Sequence, residues 1–172
     1  MKNYWAVLLL LCMVTACKDF SNKPKFSISA PFGWTRTDSI DERGDTVVRL
    51  KSPLGVASIN PSKNVRETIA LLVMHDRNSD PQRLSVLKNL KGRAIFFEQT
   101  GSGHKVIDGI SSYWFEINVK YKSSMLLCTQ RHYFLPKDGF VYTFICTCSK
   151  EDFEAIRSQV DEVLNSFKVL DD

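Results

Sequence analysis

The C-terminal region of the chain carries a one-sided apolar pattern that limits the possible folds more than any other feature. Its apolar residues recur at steps of three and four, as they do along one face of an α-helix. They are Phe153, Ile156, Val160, Val163, Leu164 and Phe167. Ser149 and Asp152 precede most of them at the spacing of a capping box, so we expect the helix to begin at Ser149. Such a helix is stable only where a flat apolar surface covers its stripe.

Three segments before this helix are expected to form that surface. Residues 112–121, 125–135 and 140–148 are rich in β-branched and aromatic side chains, which favour strands. Residues 136–139, with the sequence Pro-Lys-Asp-Gly, separate the last two segments and predict a turn. Asp108-Gly109 predicts another reversal before the first. We therefore expect three consecutive antiparallel strands.

The first half of the chain adds further strands and one helix. Short strands are expected at 26–30, 46–51 and 94–99, and Asp80-Pro81 predicts the start of a helix that ends at Gly92. Residues 68–75 fit either a buried strand or a helix, and the turn-forming residues after them favour the strand. This order predicts an α+β domain, in which a single antiparallel β-sheet is flanked by helices as an α/β/α sandwich.

Residues 1–17 predict an export leader. Lys2 opens them, and an apolar run that ends at Val14 follows. This run is about ten residues long, well short of the roughly 20 needed to cross a bilayer as a helix. A charged start, a short apolar stretch and small residues at its end are typical of a secretory signal peptide.

The leader ends in Val14-Thr15-Ala16-Cys17, which resembles the lipobox of bacterial lipoproteins. By that resemblance, residues 1–16 are a signal peptide and Cys17 carries the lipid. Residues 17–25 then form the lipidated cysteine and a short tether to the domain. Two alternatives remain open: an ordinary signal peptide that leaves Cys17 as a plain thiol, and a retained transmembrane anchor.

The remaining chain is expected to form one domain over residues 26–170. A chain of 172 residues is within the range of a single domain. With 44% hydrophobic and 11% aromatic residues it has enough apolar side chains for a core, which excludes disordered and collagen-like classes.

Several turn, cap and core segments of this domain resemble the PsbP-like superfamily, named for an extrinsic protein of photosystem II. The segments that carry the resemblance are Pro31-Phe32-Gly33-Trp34, 105–109 with 113–116, 131–134 with 139–143, and 149–153 with 165–167. The resemblance implies an antiparallel sheet sandwiched by helices. It also implies a protein–protein role, since the family includes photosystem assembly proteins and bacterial lipoproteins of unknown role.

Three cysteines remain after Cys12 departs with the leader and Cys17 is lipidated. An exported protein meets an oxidising compartment. The hairpin between the last two strands is expected to place Cys128 opposite Cys146 or Cys148, so a disulfide from Cys128 to either one is possible. The alternative is three reduced, buried thiols beneath the closing helix. Three cysteines without a fourth ligand do not predict a metal site.

No catalytic, cofactor-binding or metal-binding motif stands out. His75, His104 and His132 are isolated in the sequence, and each is expected to be a surface residue or a hydrogen-bonded one. Residues 101–103, Gly-Ser-Gly, are expected to form a hairpin turn rather than a phosphate-binding loop. We therefore expect neither catalysis nor a cofactor.

Aromatic and basic residues allow further interpretations. Trp34, Trp114 and Phe96-Phe97 could line a ligand cleft, although packing in the core is favoured. Arg83, Lys88, Lys91 and Arg93 make the predicted first helix and its exit basic. A solvated face is the default interpretation of such a helix, and attraction to anionic lipid headgroups is the alternative.

Together these features predict an exported protein, lipid-anchored on the periplasmic or surface face of a bacterial envelope membrane. Its expected function is that of a non-catalytic binding or assembly module with an unidentified envelope protein as partner. The net charge of +4 is too small to indicate nucleic-acid binding. Two other functions remain open: a small-ligand carrier or enzyme whose site is assembled from residues far apart in sequence, and a self-assembling surface protein.

Overall fold

A computed structural model of the protein describes residues 24–42, 44–53, 68–75, 79–122 and 126–170. The predicted leader and Cys17 lie outside these residues. The elements are β1 Phe26–Ser27, β2 Thr35–Ile40, β3 Thr46–Lys51, β4 Thr68–His75, α1 Ser79–Arg93, β5 Ala94–Ile107, β6 Ile110–Tyr121, β7 Leu127–Lys137, β8 Phe140–Ser149, α2 Arg157–Ser166 and β9 Lys168–Val169. In the described ranges, neither helix is long and apolar enough to span a membrane.

Seven of the strands form one antiparallel sheet in the order β2-β3-β4-β8-β7-β6-β5. The first and last short strands, β1 and β9, pair separately. The three consecutive C-terminal strands predicted from the sequence are confirmed as β6, β7 and β8. The ambiguous segment is strand β4, which pairs with β8 and joins the two halves of the chain.

Two Asp-Gly pairs make the tight turns of the C-terminal half. Asp108 and Gly109 have φ values of 51° and 72°, and Asp138 and Gly139 have values of 52° and 78°. Positive φ at both central residues is the requirement of a two-residue type I′ hairpin. The predicted four-residue turn at 136–139 is therefore a two-residue loop, and Lys137 pairs directly with Phe140.

Buried side chains form a cluster on each face of the sheet. On the first face, α2 buries Val160, Val163 and Leu164 against the larger cluster. On the second face, Val86, Leu87 and Leu90 of α1 pack against the smaller cluster, which is centred on β6. These two short helices cover only part of a seven-stranded sheet. The domain is thus a mostly antiparallel sheet with two helices, rather than the evenly covered sandwich that the sequence predicts.

The C-terminal helix begins later than its capping pattern predicts. The Ser149 hydroxyl does donate to the Asp152 carboxylate, and the Asp152 amide donates to Ser149 Oγ at 3.2 Å. However, residues 150–156 form consecutive turns, and the first helical residue is Arg157. The expected start at Ser149 is wrong because this pair closes a local turn. The burial pattern is confirmed, since all six residues of the apolar stripe are buried.

Strand β5 differs most from the expectation. Residues 101–103 do not form a hairpin turn but lie in the middle of this 14-residue strand at the sheet edge. The indole of Trp114 lies against them, and a Cβ on Gly103 would come within 3.1 Å of Trp114 Nε1. The glycines are therefore needed for close approach of the ring. The opposite edge strand, β2, was not predicted because its sequence, Thr-Arg-Thr-Asp-Ser-Ile, is mostly polar and exposed.

Candidate functional site

The first face of the sheet becomes polar on strands β5 to β7. The register pairs Glu116 with Arg131 and Asn118 with Thr129, so these four side chains share one face. We use the name polar strip for the set Glu98, Thr100, Glu116, Asn118, Thr129 and Arg131. Its hydrogen bonds form two neighbouring sets, Thr100 with Glu116 and Arg131, and Glu98 with Asn118 and Thr129, which together are the candidate site.

A half-buried ion pair lies at the centre of the polar strip. Arg131 Nε donates to Glu116 Oε2 at 2.8 Å, and a guanidinium nitrogen of Arg131 contacts the same oxygen. The two side chains are 15% and 18% exposed, so water screens them less than a surface pair. The hydroxyl of Thr100 donates to the other carboxylate oxygen at 2.8 Å. Both oxygens of Glu116 are therefore held by protein donors.

Two aromatic rings enclose the guanidinium of Arg131. Its central carbon lies 5.2 Å from the ring centre of Trp114 and 4.9 Å from that of Phe153. Cations in such positions are attracted by the negative faces of the rings. Because Phe153 lies in the turns before α2, Arg131 ties that segment to the sheet.

The rest of the polar strip is hydrogen-bonded as well. Thr129 Oγ1 donates to Asn118 Oδ1 at 2.9 Å, and Asn118 Nδ2 donates to Glu98 Oε2 at 3.1 Å. Asn118 and Thr129 are buried, whereas Glu98 is exposed. The strip thus runs from a buried amide to the carboxylate of Glu98 at the exposed sheet edge, in a fixed arrangement suited to hydrogen-bonded recognition.

The sequence analysis missed the polar strip, although one local signal was present. In β6, Glu116, Asn118 and Lys120 alternate with Phe115, Ile117 and Val119. This period of two predicts a strand with one polar face. The partners on β7 could not be assigned, because the register depends on the length of the turn.

A second polar group is buried on the opposite face. Tyr121 donates to Gln130 Oε1 at 2.8 Å, and Gln130 Nε2 donates to Thr147 Oγ1 at 3.3 Å. His132 Nε2 lies 3.4 Å from Gln130 Oε1, and its ring stacks on Phe115 with centroids 4.6 Å apart. Among the described residues, Nδ1 of His132 has no hydrogen-bond partner. The expectation of a surface or hydrogen-bonded histidine therefore fails for this nitrogen.

The burial of His132 predicts an acid-sensitive domain. Burial lowers the pKa of its imidazole from 6.5 to about 4, and the residues paired with it, Phe115 and Ile145, are apolar. Between about pH 4 and pH 6.5, His132 therefore binds a proton in the unfolded chain but not in the folded one. The free energy of unfolding is expected to be intact above pH 6.5 and to fall by about 2–3 kcal/mol towards pH 4 on this account. Urea denaturation at several pH values measures it.

Two variants isolate this contribution. His132→Phe keeps a stacked ring without a titrating group, so its stability is expected to fall less steeply between pH 6.5 and 4. The exposed His104 is the control, and His104→Gln is expected to keep the slope of the original chain. An unchanged slope in His132→Phe would assign the acid sensitivity to other groups.

The three cysteines of the domain are buried thiols, with no disulfide between them in this structure. The two-residue loop pairs Cys128 with Ser149, Thr129 with Cys148 and Arg131 with Cys146. Cys128 therefore points to the second face, while the other two point to the first. The expected placement of Cys128 opposite Cys146 or Cys148 is wrong because the turn is centred on Asp138-Gly139, one residue later than predicted, which shifts the register.

Burial keeps the thiols of Cys128 and Cys146 protonated. Burial raises the pKa of the Cys146 thiol to about 12, and burial also raises that of Cys128. The thiolate is the nucleophile and the metal ligand, so neither residue is activated for such a role. Within the described ranges, no group of three or more His, Cys, Asp or Glu residues could hold a metal ion.

The aromatic residues considered for a ligand cleft pack mainly in the core. Trp34 and Trp114 are partly buried against the first-face cluster, and Phe97 packs on the second. Phe96 differs, because 44% of it is exposed. A solvated face was the default prediction for Arg83, Lys88, Lys91 and Arg93. The last three are exposed, and the side chain of Arg83 lies outside what the structure describes.

Comparison with known proteins gives matches in structure only. The sequence matches no model of a protein family and no curated protein. Among solved structures, the solution structure of cyanobacterial PsbP (CyanoP) from Synechocystis sp. PCC 6803 has a TM-score of 0.53 at 14% identity. The match covers 90% of this chain and 98% of that one.

Two crystal structures of bacterial proteins are also similar. LpqN of Mycobacterium tuberculosis, described as involved in cell envelope biogenesis, has a TM-score of 0.63 at 13% identity, over 90% of this chain and 88% of that one. A protein of unknown function from Pseudomonas aeruginosa has a TM-score of 0.58 at 12% identity, over 86% and 98%. At these identities the likeness shows the fold, which is PsbP-like.

Proposed function

We propose that this protein is a lipid-anchored lipoprotein of the cell envelope that acts as a non-catalytic binding or assembly module for another envelope protein. The observation that carries the binding role is the polar strip. Its carboxylates and its guanidinium are held in place by internal partners, and its outer end is exposed at the edge strand. The similarity of fold to CyanoP and to LpqN, a protein described as involved in cell envelope biogenesis, supports an envelope role.

The anchor follows from the end of the leader. Cleavage before Cys17 exposes an amino group, and acylation there together with a diacylglycerol thioether gives three chains. A single acyl chain holds a protein only marginally, whereas two or more hold it stably. The polar residues 18–25 reach at most roughly 26–29 Å when extended, so the domain stays close to the bilayer.

The chemistry of the polar strip favours recognition over reaction. Arg131 and Glu116 neutralise each other, and Asn118 bridges Thr129 and Glu98. A surface of this kind is ordered before a partner arrives, so little side-chain entropy is lost on binding. Its exposed carboxylate at Glu98 suits a partner with amide or cationic donors.

The test uses a photo-crosslinking residue at Thr100, on the exposed rim of the polar strip, in chains with and without Cys17→Ser. The anchored chain is expected to fractionate with membranes, to incorporate labelled acyl chains and to crosslink reproducibly to one envelope protein. Cys17→Ser is expected to lose the label and at least about tenfold of the membrane-bound fraction, because several acyl chains are removed.

Two controls make the result specific. Cys12→Ser alters a cysteine in the leader and is expected to behave like the unaltered chain. The same crosslinker at Ile40, 61% exposed on the opposite sheet edge, is expected to capture nothing reproducible. If the Cys17→Ser chain is still acylated and membrane-bound, the proposed anchor is wrong. If the crosslinkers at Thr100 and Ile40 capture the same protein equally well, the polar strip is not the binding surface.

A further inference from the structure

The junction of α1 and β5 forms a basic corner with exposed apolar side chains. The helix ends at Arg93 and the strand begins at Ala94, with no loop between them. We use the name basic corner for the set Lys91, Arg93, Ile95, Phe96, Lys120 and Lys122. Its members come from α1, from β5 and from the end of β6.

Backbone pairing holds these residues at one end of the sheet edge. Phe96 pairs with Lys120 across β5 and β6. The Lys122 amide donates to the carbonyl of Arg93 at 3.2 Å, and its ammonium lies 3.5 Å from the carbonyl of Gly92. The last turn of α1 and the end of β6 are thus directly joined at this end of the sheet edge.

The apolar members of the basic corner face solvent. Ile95 lies at a register shift between Ala94 and Phe96 and is 58% exposed, and Phe96 is 44% exposed. Lys91, Arg93 and Lys122 are exposed beside them. In the part of the chain that the structure describes, no ion pair involves a cation of the basic corner.

The chain segments around the basic corner carry only positive charges. Residues 81–97 and 120–122 contain six Lys and Arg residues and no Asp or Glu, whereas the whole chain has a net charge of only +4. The first carboxylate along β5 is Glu98, which accepts a hydrogen bond from Asn118. Four of these six cations, Lys91, Arg93, Lys120 and Lys122, belong to the basic corner with Ile95 and Phe96.

We propose that the basic corner binds an anionic phospholipid bilayer. Lysine and arginine side chains near such a surface are attracted by its negative potential, while apolar side chains beside them enter the boundary between headgroups and acyl chains. The inference rests on the proposed anchor, which holds the domain close to a membrane. It adds a second contact, through the folded domain itself.

Strand β5 connects this contact with the tether. At its far end, Asp108 accepts hydrogen bonds from Lys168 Nζ and the Val169 amide, both at 2.9 Å. Those residues form β9, which pairs with β1, the strand that follows the tether. A 14-residue strand spans about 45 Å. A domain that lies with this edge on the bilayer brings both the basic corner and the tether to its surface.

Vesicle sedimentation tests the proposal with the chain from residue 17 onwards, produced without acylation. It is expected to bind vesicles of phosphatidylcholine with 40% phosphatidylglycerol, to ignore pure phosphatidylcholine vesicles and to dissociate in high salt. Lys91→Gln with Arg93→Gln is expected to lower the partition coefficient by roughly 30-fold, at about fivefold for each charge. Phe96→Ser is expected to lower it by about tenfold.

Matched controls lie on β2 and β3, at the opposite side of the sheet. Arg49→Gln with Lys51→Gln removes the same charge, and Ile40→Ser removes an apolar side chain that is 61% exposed, more than Phe96 at 44%. Both are expected to change partitioning less than twofold. If the control variants lose as much vesicle binding as the basic-corner variants, the binding depends only on net charge and the proposal is wrong. It is also wrong if the chain does not bind anionic vesicles and the basic corner binds a protein instead. Neither result depends on acylation at Cys17, which the crosslinking experiment measures separately.

Discussion

Replacing Phe167 with alanine is expected to lower the free energy of unfolding by about 4 kcal/mol, as is typical for a fully buried phenylalanine. Phe167 is 0% exposed and follows α2 directly. Its ring lies 5.1 Å from Phe144, 5.3 Å from Tyr142 and 6.2 Å from Phe26, between ring centroids. Truncation of the Phe167 side chain leaves a cavity where α2, β8 and β1 meet.

Chemical denaturation of the domain measures this effect. Phe32 provides the control because it is fully exposed. Phe32→Ala is therefore expected to change the free energy of unfolding by less than about 0.5 kcal/mol. Phe167→Leu keeps most of the volume and is expected to fall between the two. A Phe167→Ala chain as stable as the original would mean that α2 does not close the first face in solution.

Arg131→Ala is expected to lower the free energy of unfolding by about 3 kcal/mol, because removing one partner of a buried pair leaves the other charge uncompensated. Glu116 would keep only the hydrogen bond from Thr100. The two aromatic rings that enclose the guanidinium would also lose their contact. This loss would free the turns before α2 as well as the polar strip.

A double variant separates the ion pair from its surroundings. Arg131→Met with Glu116→Leu removes both charges and keeps the volume, so it is expected to be more stable than Arg131→Ala. Arg157 forms an exposed pair with Glu154, and Arg157→Ala is expected to cost less than about 1 kcal/mol. Similar losses for Arg131→Ala and Arg157→Ala would show that the half-buried pair is no stronger than a surface one.

The elements that sequence patterns predicted well are those whose signals are local. The apolar stripe from Phe153 to Phe167 is buried as expected, and the strands around Asp138-Gly139 lie close to their predicted bounds. Both depend on side chains near in sequence, where periodicity and turn chemistry act directly. The resemblance that predicts a PsbP-like fold rests largely on the same segments, and the structural comparison confirms that fold.

The elements that were missed depend on contacts between distant residues. Whether residues 101–103 turn or extend is decided by the Trp114 ring, which lies against both glycines from the neighbouring strand. The face that Cys128 shares with Cys146 or Cys148 depends on which residues form the turn before β8, since a shift of the register by one moves a side chain to the other face. The polar strip needs the register of three strands at once. Local patterns do not contain that information.

The pairing of β1 with β9 couples the two ends of the domain. Phe26 pairs with Val169 and Ser27 with Lys168, and the Leu170 amide donates to the carbonyl of Lys25 at 3.0 Å. Contacts so far apart in sequence require the intervening chain to be ordered first, since closing a long loop costs entropy. The segment nearest the tether can therefore complete its structure only after the last strand has been synthesised. Strand β1 is therefore synthesised first among the strands but is among the last to pair.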